Sequence, residues 1–89
     1  MTSNLSNRRR RTPEATCLVR WIFHRHGSAL TCQVNARATS SYDVCVVPHW
    51  NVSAAAVETV ETPGRALLRH AEIARHLREG GWCVADRSA

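Results

Sequence analysis

The stretch WIFHRHGSALTCQV, from Trp21 to Val34, constrains the fold more than any other part of the sequence. Apolar residues recur at alternate positions on both sides of His26-Gly27, which is the pattern of two strands joined by a tight turn. Glycine tolerates the positive φ that two-residue hairpin turns demand. The sequence therefore predicts a β-hairpin whose turn lies at His26-Gly27.

The turn also fixes the predicted register of this hairpin. The predicted pairs are Arg25 with Ser28, Phe23 with Leu30, Trp21 with Cys32 and Val19 with Val34. This register makes one face of the hairpin wholly apolar, whereas a slip by one residue would mix both faces. Continued alternation places Cys17 on this apolar inner face and Leu18 on the opposite, outer face.

The rest of the chain supplies one or two further strands and a helix. Tyr42, Val44 and Val46 continue the inner face on a third strand, which Pro48 ends. The segment NVSAAAVETVE fits a helix or a fourth strand around residues 57–61. Thr62-Pro63 is a helix start and EGG a helix end, which predicts a helix from Pro63 to about Glu79. Its predicted buried stripe consists of Ala66, Leu67, Ile73, Ala74 and Leu77. Trp82 is expected to fold back and close the core.

The predicted fold class is α+β, a three- or four-stranded antiparallel sheet with one C-terminal helix packed on one face. At 89 residues the chain has room for one small domain. We assign residues 1–15 to a disordered arginine-rich tail, residues 16–85 to a single small α+β domain and residues 86–89 to a disordered C-terminus.

The basic charge of the chain belongs mostly to this tail. All 12 basic residues are arginines, and four of them form the run Arg8, Arg9, Arg10, Arg11. From Thr16 onward the formal charge is only +2, from eight arginines and six acids. No secretory signal and no apolar span of roughly 20 residues is found, so we expect a cytoplasmic location without membrane contact and four cysteines kept as thiols.

The succession HRHGSALTCQV, a third strand and ALLRHAEIARHLREGGW resembles a group of short, uncharacterised bacterial proteins. Those proteins are similar in having a hairpin, a terminal helix and a closing Gly-Trp pair. The resemblance covers roughly residues 19–82. It implies the same α+β fold and no activity.

Two histidines near the hairpin turn, His24 and His26, raise the question of a metal site. A third ligand is needed for zinc, and His49 is the available donor if it falls in the same row of the sheet. The sequence contains no CxxC motif, and His26 is better explained as a turn residue. We therefore predict no metal and no cofactor, and expect a chelator to leave the thermal midpoint unchanged.

His70 lies in the middle of the predicted buried stripe of the helix. A buried histidine with a hydrogen-bonded ring nitrogen is the simplest interpretation, and no Ser, Cys or Asp can be assigned as its catalytic partner. Cys45 is predicted to face outward, and nothing in the sequence supplies a charge to activate it. We predict that the protein is not an enzyme.

The outer face suggests two functions. Leu18, Ile22 and Val47 form an apolar patch there, which favours a protein partner or self-association through this face or an edge strand. Arg20, Gln33 and Arg37, together with Arg8, Arg9, Arg10 and Arg11, are the contacts expected of a nucleic-acid-binding domain. Because the domain is nearly neutral, a small interaction module of unknown partner is the first prediction and nucleic-acid binding the alternative.

Overall fold

In the computed structural model, which describes residues 15–88, five strands form one antiparallel sheet with one α-helix on its inner face. The elements are β1 (Ala15–Arg25), β2 (Ser28–Arg37), β3 (Tyr42–Pro48), a 3₁₀ turn (Val52–Ala54), β4 (Ala56–Val60), α1 (Pro63–Glu79) and β5 (Cys83–Ser88). The strand order is β4-β3-β2-β1-β5. The α+β class is confirmed, with one strand more than the largest number predicted.

The β1–β2 hairpin has the predicted register. Arg25 pairs with Ser28 and Phe23 with Leu30, and the pairing continues to Val19. His26 and Gly27 have φ values of 51° and 79°, as a tight hairpin turn requires.

A β-bulge in β1 changes the face of the sheet on which the side chains before Val19 lie. The register shifts between Cys17 and Val19, which leaves Leu18 without a partner on β2. Leu18 packs against the core cluster that contains Val34 and Val44, while Cys17 is exposed. The predictions of Leu18 on the outer face and Cys17 in the core are both wrong, because the extra residue interrupts the alternation of side chains.

Helix α1 lies over β2 and β3 and buries the inner face. The buried core consists of Phe23, Leu30, Cys32, Val34, Val44, Ala66, Ala74 and Trp82. The helix begins as predicted, with the Thr62 hydroxyl accepting a hydrogen bond from the Arg65 N–H at 3.2 Å. Leu67, which we placed in the buried stripe, is 47% exposed, because the helix turns Ala66, His70 and Ala74 toward the sheet.

The chain continues past the helix into a strand. Gly81 has a φ of 93° and turns the chain so that the Trp82 N–H donates to the Leu77 carbonyl at 3.0 Å. Trp82 closes the core as predicted and is 8% exposed. Residues 86–88, which we predicted to be disordered, belong to β5. This strand is held on the sheet because Val84 pairs with Phe23 and packs against the core.

The remaining boundary predictions concern the ends of the chain and the fourth strand. Of the predicted tail, only Ala15 lies within the described residues, as the start of β1. The fourth strand, left open against a helix, is β4, one residue earlier than predicted. Within residues 15–88, no helix has the length and apolar content needed to cross a membrane.

Candidate interaction surfaces

The outer face, the side of the sheet opposite α1, has a central row made of Ile22, Thr31 and Val47 on β1, β2 and β3. Thr31 is only 8% exposed, and its hydroxyl lies 2.7 Å from Nε2 of His49. Ile22 and Val47 are half-buried. Since Leu18 packs on the inner side, the predicted apolar patch reduces to two residues separated by a hydroxyl.

The charged groups of the outer face are largely paired within the chain. Arg37 donates to Asp43 at 2.8 Å, and the Thr59 hydroxyl donates to the other oxygen of the same carboxylate at 2.8 Å. Burial of Asp43 acts to raise its pKa, but these two hydrogen bonds together with the charge of Arg37 outweigh burial and hold the pKa below its usual value. Asp43 therefore remains a carboxylate, and the Arg37 guanidinium is bound to it within the chain.

The other residues predicted to contact bases are similarly limited. The Gln33 amide donates to Asn35 at 3.1 Å. Arg20 is exposed, and Asp86 shares the outer face, since it pairs with Ile22 on the neighbouring strand. Arg8, Arg9, Arg10 and Arg11 lie outside the described residues. The described part of this face thus presents two arginines and two aspartates, which is not the basic stripe of a nucleic-acid interface.

The histidines considered as metal ligands do not converge. His24 and His49 do fall in one row with Ala29, because His24 pairs with Ala29 and the His49 N–H donates to the Ala29 carbonyl. The His49 ring, however, contacts Thr31, and His26 lies in the turn. Among residues 15–88, no three His, Cys, Asp or Glu side chains are grouped so as to hold a metal ion.

His70 is buried on the inner face, as predicted. Its Nε2 lies 3.2 Å from the Cys32 carbonyl, and its ring meets the Trp21 ring edge-on at 5.2 Å. Burial lowers the pKa of His70 against the opposing effect of the bond to Cys32. Burial also raises the pKa of the Cys32 thiol to about 12. Both side chains are therefore neutral parts of the core near pH 7.

The two edges of the described sheet differ in how well they are protected against pairing with another strand. At the β5 edge, the pairing with β1 is irregular between Ile22 and Phe23, and the Arg87 guanidinium covers the Trp21 ring at 4.6 Å. At the other edge, β4 pairs with β3 in an unbroken register and contains no proline or lysine. Bulges and charges are among the devices that block edge pairing: the β5 pairing has the irregularity, whereas the one charge of β4, Glu58, is paired with Arg69 and its backbone pairing is regular.

A groove runs along β4 where α1 does not cover the sheet. One part has a volume of about 400 Å³, with Val44 and Val46 on its floor and Glu58 and Ile73 on its walls. Arg69 crosses the groove, its Nε 3.0 Å from Glu58 and its Nη1 3.3 Å from Glu72.

Several large apolar side chains of the described residues are exposed. Trp50, Val52 and Val57 are all at least 60% exposed; Trp50 and Val52 precede β4, and Val57 lies within it. Trp50 stacks on Trp82 with ring centres 6.1 Å apart. Leu68, 62% exposed, lines a groove together with Glu58 and Val60. Our sequence-based interface did not include these residues.

No family model, curated protein or solved structure matches the chain. The resemblance to short bacterial proteins stays a prediction.

Proposed function

We propose that the protein is a non-enzymatic interaction module that binds an extended segment of another polypeptide along β4. The observation that carries this proposal is the contrast between the edges, because β4 pairs with β3 in an unbroken register while the pairing of β5 with β1 is irregular. An unprotected edge strand offers a row of backbone donors and acceptors to an incoming strand.

Binding would follow the strand-addition mode. The incoming segment hydrogen-bonds to the backbone groups of β4 that face away from β3, and its alternate side chains enter the groove beside α1. The groove has an apolar floor of Val44 and Val46 and a charged rim of Glu58 and Arg69. It therefore suits a segment that alternates apolar and polar residues.

The outer face supports this function less well. Its apolar residues Ile22 and Val47 are half-buried and separated by Thr31. Nucleic-acid binding by that face, our alternative, has less support, since Arg37 is held by Asp43 and Gln33 by Asn35.

Peptide selection against the full chain tests the proposal. Peptides from a random library would be selected on the wild type and their affinities measured on two variants. Val57→Lys places a charge at an exposed edge position and should weaken binding by roughly tenfold or more. Ile22→Glu, on the outer face, should leave the affinity unchanged, with thermal midpoints used to verify folding. Failure to select any binder, or loss of binding in Ile22→Glu alone, would contradict the proposal.

A further inference from the structure

We infer that β5 is a detachable strap on the edge of β1. The strap, residues 83–88, opens and closes as a unit while the rest of the domain stays folded. The edge of β1 that it covers is a binding site for this segment, which binds whether it is part of the same chain or a separate peptide. The strap lies at the opposite edge of the sheet from β4, so it is independent of the proposed function.

Few buried groups hold β5 on the sheet. Among its 6 side chains, Val84 is half-buried and the others are exposed. The register shift between Ile22 and Phe23 leaves Ala85 without a partner on β1. A segment with few buried apolar contacts opens at a lower free energy than the core strands do. We therefore expect β5 to leave β1 before the β2–β3 pairing breaks.

The residue just before the strap, Trp82, stays fixed when the strap opens. Trp82 is 8% exposed, and its N–H donates to the Leu77 carbonyl at 3.0 Å. The Arg25 guanidinium lies 4.7 Å from the centre of the Trp82 ring and donates to the Gly80 carbonyl at 2.8 Å. Trp50 stacks on the same ring. The open strap thus remains tethered beside β1, which favours its closing again.

The end of the strap is held by a contact between Arg87 and Trp21. The Arg87 guanidinium lies 4.6 Å from the centre of the Trp21 ring. The roles are the reverse of those at Trp82, because here β1 supplies the tryptophan and the strap supplies the arginine. A cation–π contact at an exposed site is weak. The Arg87–Trp21 contact can therefore break while Trp82 remains packed.

The edge beneath the strap is formed without it. The Trp21 ring packs against Phe23 with ring centres 6.2 Å apart and meets His70 edge-on at 5.2 Å. Phe23 and His70 are buried, and β1 stays paired with β2 on its other side. The open state thus presents a row of backbone donors and acceptors beside a Trp21 ring that is already in position.

The resident strand shows which segment this edge fits. Val84 lies opposite Phe23, and Arg87 covers the Trp21 ring. In strand addition, backbone hydrogen bonds supply affinity and side-chain contacts supply specificity. A separate peptide with the sequence of residues 83–88 carries both side chains, so it should bind the edge whenever the strap is open.

Hydrogen exchange of the full chain measures the opening. The amides that bond β5 to β1 should exchange together and ahead of those that bond β2 to β3. Arg87→Ala should speed exchange of the β5 amides by about two- to fivefold, which corresponds to the loss of one exposed cation–π contact. Arg65→Ala, an exposed arginine in the first turn of α1, is the matched control and should leave β5 exchange unchanged.

Binding of the peptide CVADRS to the full chain tests the edge as a site. The apparent affinity for a site that is open part of the time is reduced by the open fraction. Arg87→Ala raises that fraction and leaves β1 unaltered, so it should strengthen peptide binding by the same factor of about two to five. NMR titration under reducing conditions measures both affinities, with a scrambled peptide as the control.

Three results would overturn the inference. If the β5 amides exchange as slowly as those between β2 and β3, the strap does not open separately. If Arg87→Ala speeds exchange equally across the sheet, or speeds it in β5 no more than Arg65→Ala does, Arg87 does not hold the strap. If the Arg87→Ala chain binds the peptide no better than the wild type, or binds the scrambled peptide equally well, the β1 edge is not a site for this segment.

Discussion

His70 shows how one buried side chain couples stability to pH. It is 5% exposed and lies against the Cys32 carbonyl and the Trp21 ring. Burial lowers its pKa from the usual 6.5, because a charged imidazolium would lose its hydration there. The folded chain therefore binds a proton at His70 less readily than the unfolded chain does.

Acid should destabilise the protein through this residue. The contribution of neutral His70 is fully present above about pH 6.5, where both states are unprotonated, and it falls as pH drops through the unfolded pKa. The limiting slope is about 1.4 kcal/mol per pH unit. Urea unfolding between about pH 7.5 and about pH 5 should show that His70→Gln loses this slope. His76→Gln, an exposed position on the same helix, should retain it, and equal slopes in His70→Gln and wild type would contradict the assignment.

At the scale of elements, the β1 bulge is the point beyond which the sequence does not predict on which face of the sheet each side chain lies. The turn at His26-Gly27 pins the register of nearby pairs. Farther from the turn, Cys17, Leu18 and Val19 are all apolar, and alternation alone does not reveal that one residue is extra. The wrong positions of Leu18 and Cys17 follow from this single irregularity.

The two sides of the bulge can be compared by truncation. Leu18→Ala removes a side chain that packs against Val34 and Val44 and should cost about 1–3 kcal/mol of unfolding free energy, less than a fully buried leucine. Ile22→Ala, on the uncovered outer face, should cost less than about 1 kcal/mol. Urea unfolding of both variants measures the difference. A larger loss of unfolding free energy in Ile22→Ala than in Leu18→Ala would contradict the packing of Leu18 against Val34 and Val44.

The edge strands explain why the candidate site was harder to predict than the fold. The helix was predictable from Thr62-Pro63, its buried stripe and EGG. The polar sequence ADRS does not predict a strand. Strand β5 depends instead on contacts with β1, because Val84 pairs with Phe23 and Arg87 covers the Trp21 ring. Strand order decides which strands are edges, and local sequence patterns do not determine strand order.

At the scale of the whole molecule, charge is divided between two regions. The chain carries a formal charge of +5 at pH 7, and Arg8, Arg9, Arg10 and Arg11 precede the described residues. Within the described part, Asp43 offsets Arg37 on the outer face, and Glu58 and Glu72 offset Arg69 beside α1. A polyanion should therefore be attracted chiefly by the arginine run.

Binding of DNA should accordingly be weak, independent of sequence and sensitive to salt. Neutralising about four phosphates lowers affinity by about a hundredfold between about 50 and about 200 mM salt, through the release of condensed counterions. Fluorescence anisotropy with duplexes of different sequence should show this loss for the full chain. Replacing Arg8, Arg9, Arg10 and Arg11 with serine should remove most of the binding at low salt, whereas Arg20→Ala should change it little, because one arginine contributes one phosphate contact at most. Two results together would contradict the proposed function. The first is binding of the serine variant at about 150 mM salt with a preference for one sequence, and the second is loss of that preference in Arg20→Ala or Arg37→Ala. They would show that the outer face recognises nucleic acid.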